Sequence, residues 1–140
     1  MLNIYKSVNP DDFVSDENPL ISSHDIALGS WNTIKLWVRN SDSSKYYESV
    51  KVRLDLEENP TESGTVYLLR KGNIEPTALE WGNSELATDI NLVTKIGSEE
   101  EADTETYHPF FLRIYVPADA NIGYSSECNI SIIAIQEPVI

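Results

Sequence analysis

The feature that most restricts this chain is a period-two alternation of apolar side chains, repeated along its length between turn residues. In Phe110–Val116 the apolar residues Phe110, Leu112, Ile114 and Val116 take every second place, with Phe111, Arg113 and Tyr115 between them. Only a strand sends alternate residues to opposite faces, so this run has one face for a core. Pro117 has no N–H for a ladder and ends the run, and Gly123 permits the turn that follows. From Cys128 to Ile135 the pattern begins as alternation and finishes apolar on both faces. That predicts a central strand covered on both sides. The two runs read as the closing strands of a β-sandwich.

The same pattern recurs upstream. In Trp31–Asn40, Ile34, Leu36 and Val38 share one face, and Lys35, Trp37 and Arg39 share the other. A tryptophan on the non-core face points to a second layer or to a contact surface. After the turn residues Asn40–Lys45, the stretch Tyr46–Leu56 sends Val50, Val52, Leu54 and Leu56 inward and Ser49, Lys51, Arg53 and Asp55 outward. These two runs are expected to form a long hairpin with one solvated face. Pro60 and Gly64 mark a loop, Thr65–Arg70 reads as a strand, and Lys71-Gly72-Asn73 turns the chain. Glu75–Leu86 reads as a helical turn or an irregular crossover, with Trp81 packed inward as its anchor. Ile90–Ile96 is a further strand. Seven to nine short strands separated by regular turn signals predict an all-β, antiparallel sandwich.

Residues 1–22 differ from the rest. Leu2, Ile4 and Tyr5 suit a short strand or a docking hook, but the following stretch is acidic and bracketed by Pro10 and Pro19. Such a segment buries little surface by itself. It reads as an extended N-terminal arm held by the domain or by a neighbour, with the sandwich domain over 23–140.

Charge narrows the partners. The 140-residue chain carries 23 acidic against 10 basic side chains, a formal net charge of −13. A phosphate backbone must be met by Lys and Arg, so nucleic acid is excluded as a partner, and an anionic membrane surface likewise. Basic proteins and divalent cations stay open. Cys128 is the only cysteine, so no disulfide forms within the chain and no cysteine-rich metal site exists. Its parity with Ile130 and Ile132 predicts a thiol facing the core. The first residues show no signal-peptide pattern and no run suits a membrane span, which leads to an expected location in a cytoplasm or in an assembly built there.

Chemistry-bearing patterns are sparse. The two histidines, His24 and His108, lie far apart and in no metal-ligand spacing. No nucleophile elbow, P-loop or dinucleotide-binding glycine pattern occurs. Asp11, Asp12, Asp16 and Glu17 do not follow the EF-hand spacing. The acidic stretch Glu99–Glu105 is either a solvated loop or a site for calcium or a basic partner. Asn129-Ile130-Ser131 is a formal glycosylation sequon inside a predicted core strand, and it is set aside. No catalytic residue, metal ligand or cofactor is assigned. The candidate contact residues are Leu2, Ile4 and Tyr5 of the arm with Trp37, Tyr46, Tyr47, Phe111 and Tyr115, whose rings are expected on outward faces.

The stretch Arg113–Tyr124, RIYVPADANIGY, resembles the end of bacterial and phage immunoglobulin-like domains, where a strand ending in Val-Pro precedes a small acidic turn, then Gly and an aromatic residue. Leu36–Asp42 is similar to an early strand and turn of such domains. The likeness runs from about Trp31 onward, without the Cys…Trp…Cys pattern of antibody domains. It implies an immunoglobulin-like sandwich with no catalytic residues. It further implies a structural component of a tailed-phage virion (baseplate, neck, tail or capsid decoration), in multiple copies or as a homo-oligomer beside other virion proteins, assembled in the host cytoplasm. The other reading is a carbohydrate-binding sandwich that uses outward aromatics, with calcium at an acidic loop.

Overall fold

The computed structural model describes residues 1–20, 30–55, 66–82, 89–116 and 129–140. Among these, seven strands and one short helix follow in order: β1 (Leu2–Tyr5), β2 (Ser30–Asn40), β3 (Lys45–Asp55), β4 (Val66–Lys71), α1 (Ala78–Gly82), β5 (Asp89–Ile96), β6 (His108–Val116) and β7 (Asn129–Pro138). They build two antiparallel sheets, one ordered β1-β2-β6-β4 and the other β5-β3-β7. The all-β expectation therefore holds for the described residues.

One apolar core lies between the sheets. Leu36 and Val38 of β2, Leu69 of β4 and Phe110 and Leu112 of β6 meet Val50, Val52 and Leu54 of β3 and Leu92 and Ile96 of β5. These are the inward rows that alternation predicts. Burying a side chain of this size stabilises the fold by about 1.5–3 kcal/mol. Helix α1 starts with a capping box in Thr77-Ala78-Leu79-Glu80. The Glu80 N–H donates to the Thr77 hydroxyl at 3.2 Å, and the Thr77 N–H donates to the Glu80 carboxylate at 3.1 Å. Arg70 of β4 donates to the Glu80 carbonyl at 2.8 Å, which ties the helix to the sheet beneath it.

Three expectations change and a fourth narrows. First, β2 and β3 are not a hairpin. The edges of β2 are taken by β1 and β6 and those of β3 by β5 and β7, so the turn between them is a corner from one sheet to the other. Asn40, fully buried, builds that corner: its amide donates to the carbonyls of Asp42 and Lys45, each at 3.0 Å, and its oxygen accepts the Asp42 N–H at 2.8 Å.

Second, Tyr47 faces inward. The register of β3 on β7 slips between Glu48 and Lys51, so that Ser49 and Val50 share one place opposite Ala134. Ser49 takes a left-handed conformation with φ of 52°. The extra residue reverses parity, which puts odd-numbered Tyr47 on the same face as even-numbered Val50. Third, among the described residues β7 is an edge strand and is not covered on both sides: Ile130, Ile132 and Ala134 pack on the core, while Ile133 and Ile135 are 39% and 52% exposed. Fourth, of the two supports expected for the N-terminal arm, the described residues 1–20 take the domain itself. β1 pairs with β2, and the following segment folds back on β1 through a Tyr5–Phe13 bridge and a bond from the Val14 N–H to the Ile4 carbonyl.

Leu56, Pro117, Gly123, Cys128 and His24 lie outside the described residues, as does the Pro117–Tyr124 part of the stretch that carries the resemblance.

Candidate functional site

The odd-numbered residues of β2 and β6 form the outer face of the four-stranded sheet. The register sets Trp31 beside Tyr115, Thr33 beside Arg113, Lys35 beside Phe111 and Trp37 beside Pro109. Alternation alone gathers these side chains, because the even-numbered partners are in the core. The result is a row of rings interleaved with cations.

At one end the Trp31 and Tyr115 rings lie 4.6 Å apart at 35°, and the Arg113 guanidinium sits 4.2 Å from the Trp31 ring and 5.6 Å from that of Trp81. Trp31 is 47% exposed. In the middle, the Lys35 ammonium lies 5.3 Å from the Trp37 ring and 5.8 Å from Phe111. It also donates to the Asn73 carbonyl and side-chain oxygen at 2.9 and 2.7 Å, which pins it over the face. At the far end Arg39 lies between the rings of Tyr5 and Tyr107, at 5.7 and 5.3 Å, and donates to the Thr104 carbonyl. Cations held over rings in this way contribute about 0.5–2 kcal/mol each, more as water is excluded.

The structure sorts the eight candidate contact residues. Ile4, Tyr5, Tyr47 and Phe111 are buried, and Leu2 packs partly against the core. They are therefore framework side chains. Tyr5 is only 1% exposed because Phe13, Tyr107 and Arg39 cover it. Phe111 is on the outer face, as parity predicts, but Leu68 and Trp81 close over it in a second small core. The outer face is thus covered by helix α1 at one end and by Phe13 and Tyr107 at the other. Trp37, Tyr46 and Tyr115 are half-buried. Tyr46 belongs to the other sheet, where desolvation and then the carboxylates of Glu48, Glu137 and Glu99 push its phenol above the ordinary range. Only Trp37 and Tyr115 of the expected set are brought together on one accessible face. Trp31 and Arg113 complete it. Trp31 shares odd parity with Lys35, Trp37 and Arg39, so the sequence does carry its signal.

Two carboxylates of the acidic segments, those of Asp12 and Asp103, are engaged within the fold. Asp12 accepts from the Asn18 amide at 2.9 Å and the Ser7 hydroxyl at 2.7 Å, which holds it below the ordinary carboxylate range. Burial raises Asp103, but bonds from Thr106 and Glu105 outweigh it and leave a net downward shift. His108 opens β6 on the same face as Val38, and burial pushes its imidazole down against the opposing pull of Asp103. Among the described residues, no group of three or more His, Cys, Asp or Glu side chains is placed to hold a metal ion. No helix among them is long and apolar enough to cross a membrane.

Comparison with protein-family models, with curated proteins and with solved structures returns no match for this chain.

Proposed function

We propose that this chain is a non-enzymatic assembly module that works through protein–protein contacts as a structural component of a tailed-phage virion. The observation that carries the reading is the accessible end of the outer face, where the Trp31 ring already packs against both Tyr115 and Arg113. Trp, Tyr and Arg are the residues that dominate binding energy at protein interfaces. Side chains held in place beforehand lose little freedom on contact, so more of the interaction energy appears as affinity. The basic groups of this face stand out in a chain of net charge −13, and acidic loops on the same chain would set register against a neighbour.

An immunoglobulin-like architecture suits the division into four and three strands, with the pairing order altered. In constant-type immunoglobulin domains the fifth strand lies beside the second and the sixth is central in the other sheet. Here β6 lies beside β2 and β3 is central. The reading therefore rests on the two-layer division and not on the strand order, which differs from that of immunoglobulin domains. Residues 1–22 do not serve as a removable docking arm in this reading, because β1 and Tyr5 belong to the fold.

The test is gradient sedimentation of lysates from cells that produce the chain in its native setting. The chain should travel with a discrete large particle, and Trp31→Ala, checked for an unchanged circular dichroism spectrum, should release it. A chain that stays at the top of the gradient refutes the assembly reading. The Trp31–Tyr115 pair also favours one second reading, a platform for stacking sugar rings. Retention on a glycan array that Trp31→Ala abolishes would establish that reading in place of the first.

A further inference from the structure

A second exposed apolar feature lies on the other sheet, at β7. This strand is ten residues long and stands at the edge of its sheet with one side of its backbone unpaired among the described residues. Edges of this kind are normally protected by shortness, by charge, by proline or by a bulge. The three other sheet edges follow that rule. β1 has four residues and is bridged by Phe13. β4 ends in Arg70 and Lys71. β5 carries Asp89 and Lys95, and its register on β3 slips between Val50 and Lys51.

β7 has none of these defences before its end. No charged residue occurs from Asn129 to Gln136, and the first charge and the first proline are Glu137 and Pro138. Its pairing with β3 places the extra residue on β3, so β7 itself runs without interruption. The outer face beside it is polar. Glu48 is drawn to Lys95 and Arg53 to Asp89, both across to the β5 side, while Ile133 and Ile135 stand exposed at the open edge. An apolar pair confined to the edge strand suits an added strand, whose own side chains would sit directly alongside.

We propose that β7 pairs antiparallel with β7 of a second copy across a two-fold axis, so that two three-stranded sheets become one of six strands. Charge selects this occupant. A basic peptide would find no counter-charge along Asn129–Gln136, whereas a second copy of this acidic chain brings an equally uncharged strand and so no like-charge repulsion at the contact. With the axis at Ile133, that residue meets its own copy. Ile135 then falls opposite Ser131 and Glu137 opposite Asn129, and no like charges face each other. The contact is self-complementary and closes both open edges at once. This inference rests on the assembly reading and adds to it a surface and a partner.

The test is light scattering on the eluting peak of the intact chain, from micromolar to submillimolar protein, beside Ile133→Lys and Ile135→Lys. Both substitutions fall on exposed positions, and urea unfolding confirms that each variant folds. The wild type should show a concentration-dependent dimer, and Ile133→Lys should weaken it at least about tenfold, since two ammonium groups then meet at the axis. A wild type that stays monomeric throughout overturns the β7 pairing. So does a dimer that a folded Ile133→Lys leaves undiminished, although self-association by another surface would then remain in line with an assembly module. Failure of the sedimentation test with an intact β7 dimer would instead remove the virion reading alone.

Discussion

Asn40 is the residue whose replacement should disturb this fold most for the fewest atoms. It is fully buried, ends the inward row of β2, and holds the corner between the sheets through three hydrogen bonds. Each such bond contributes about 0.5–1.5 kcal/mol net, so their sum is about 1.5–4.5 kcal/mol. Asp42 and Lys45 are only half-buried, and water can reach some of the groups left behind. Asn40→Ala should therefore cost about 2 kcal/mol, read as a lower urea midpoint with an unchanged slope. Asn40→Asp sharpens the test. One carboxylate oxygen can still accept the Asp42 N–H, but the other would face two carbonyls with no proton to offer. The charged form is then disfavoured, and the folded pKa rises above its unfolded value of about 3.9. A raised carboxylate contributes stability that is present below the unfolded pKa and is lost as pH rises through the folded one. Asn40→Asp should thus fall below Asn40→Ala at neutral pH and recover toward it in acid. A loss under about 0.5 kcal/mol for Asn40→Ala, or a gap between the two variants that ignores pH, would show that the corner does not depend on this amide.

Two further outcomes follow from the geometry. Trp81→Ala should destabilise by about 3 kcal/mol by uncovering Leu68 and Phe111, and Thr77→Ala by about 1 kcal/mol by breaking the helix cap, with urea unfolding as the assay; equal, negligible losses would mean that α1 is not a structural lid. His108, whose pKa burial depresses, contributes stability that is fully present above its ordinary value of 6.5 and is lost as pH falls from there toward the folded value. Between about pH 7 and pH 5 the wild type should lose stability and His108→Leu should not, while the lowered carboxylates Asp12, Asp42 and Asp103 add their own loss only below their ordinary 3.8. Parallel curves for the two proteins over the upper window would contradict the burial of the imidazole.

How far the sequence could be read depended on what each residue's neighbours add to alternation. Leu36, Val38, Val52, Phe110 and Leu112 were legible because an uninterrupted strand fixes the face of every residue from any one of them. Tyr47 was not, because a single extra residue reverses the parity upstream of it. Ser49 occupies that place in a left-handed conformation for which serine gives no local warning, whereas a glycine would have done so. Parity gives the face of Phe111 but not its cover, since Trp81 reaches it from a helix more than twenty-five residues earlier in the chain. The apolar run of β7 fits two explanations that periodicity cannot separate: a strand covered on both faces, or an edge whose cover is supplied by another strand. In the fold, the core takes Ile130, Ile132 and Ala134 and leaves Ile133 and Ile135 outside. Among the described strands, exposed isoleucine falls on β7 alone, and that strand stands at a sheet edge. A strand added by a second copy would flank Ile133 and Ile135 within the sheet, which is a different cover from the second layer that apolar residues on both faces predict.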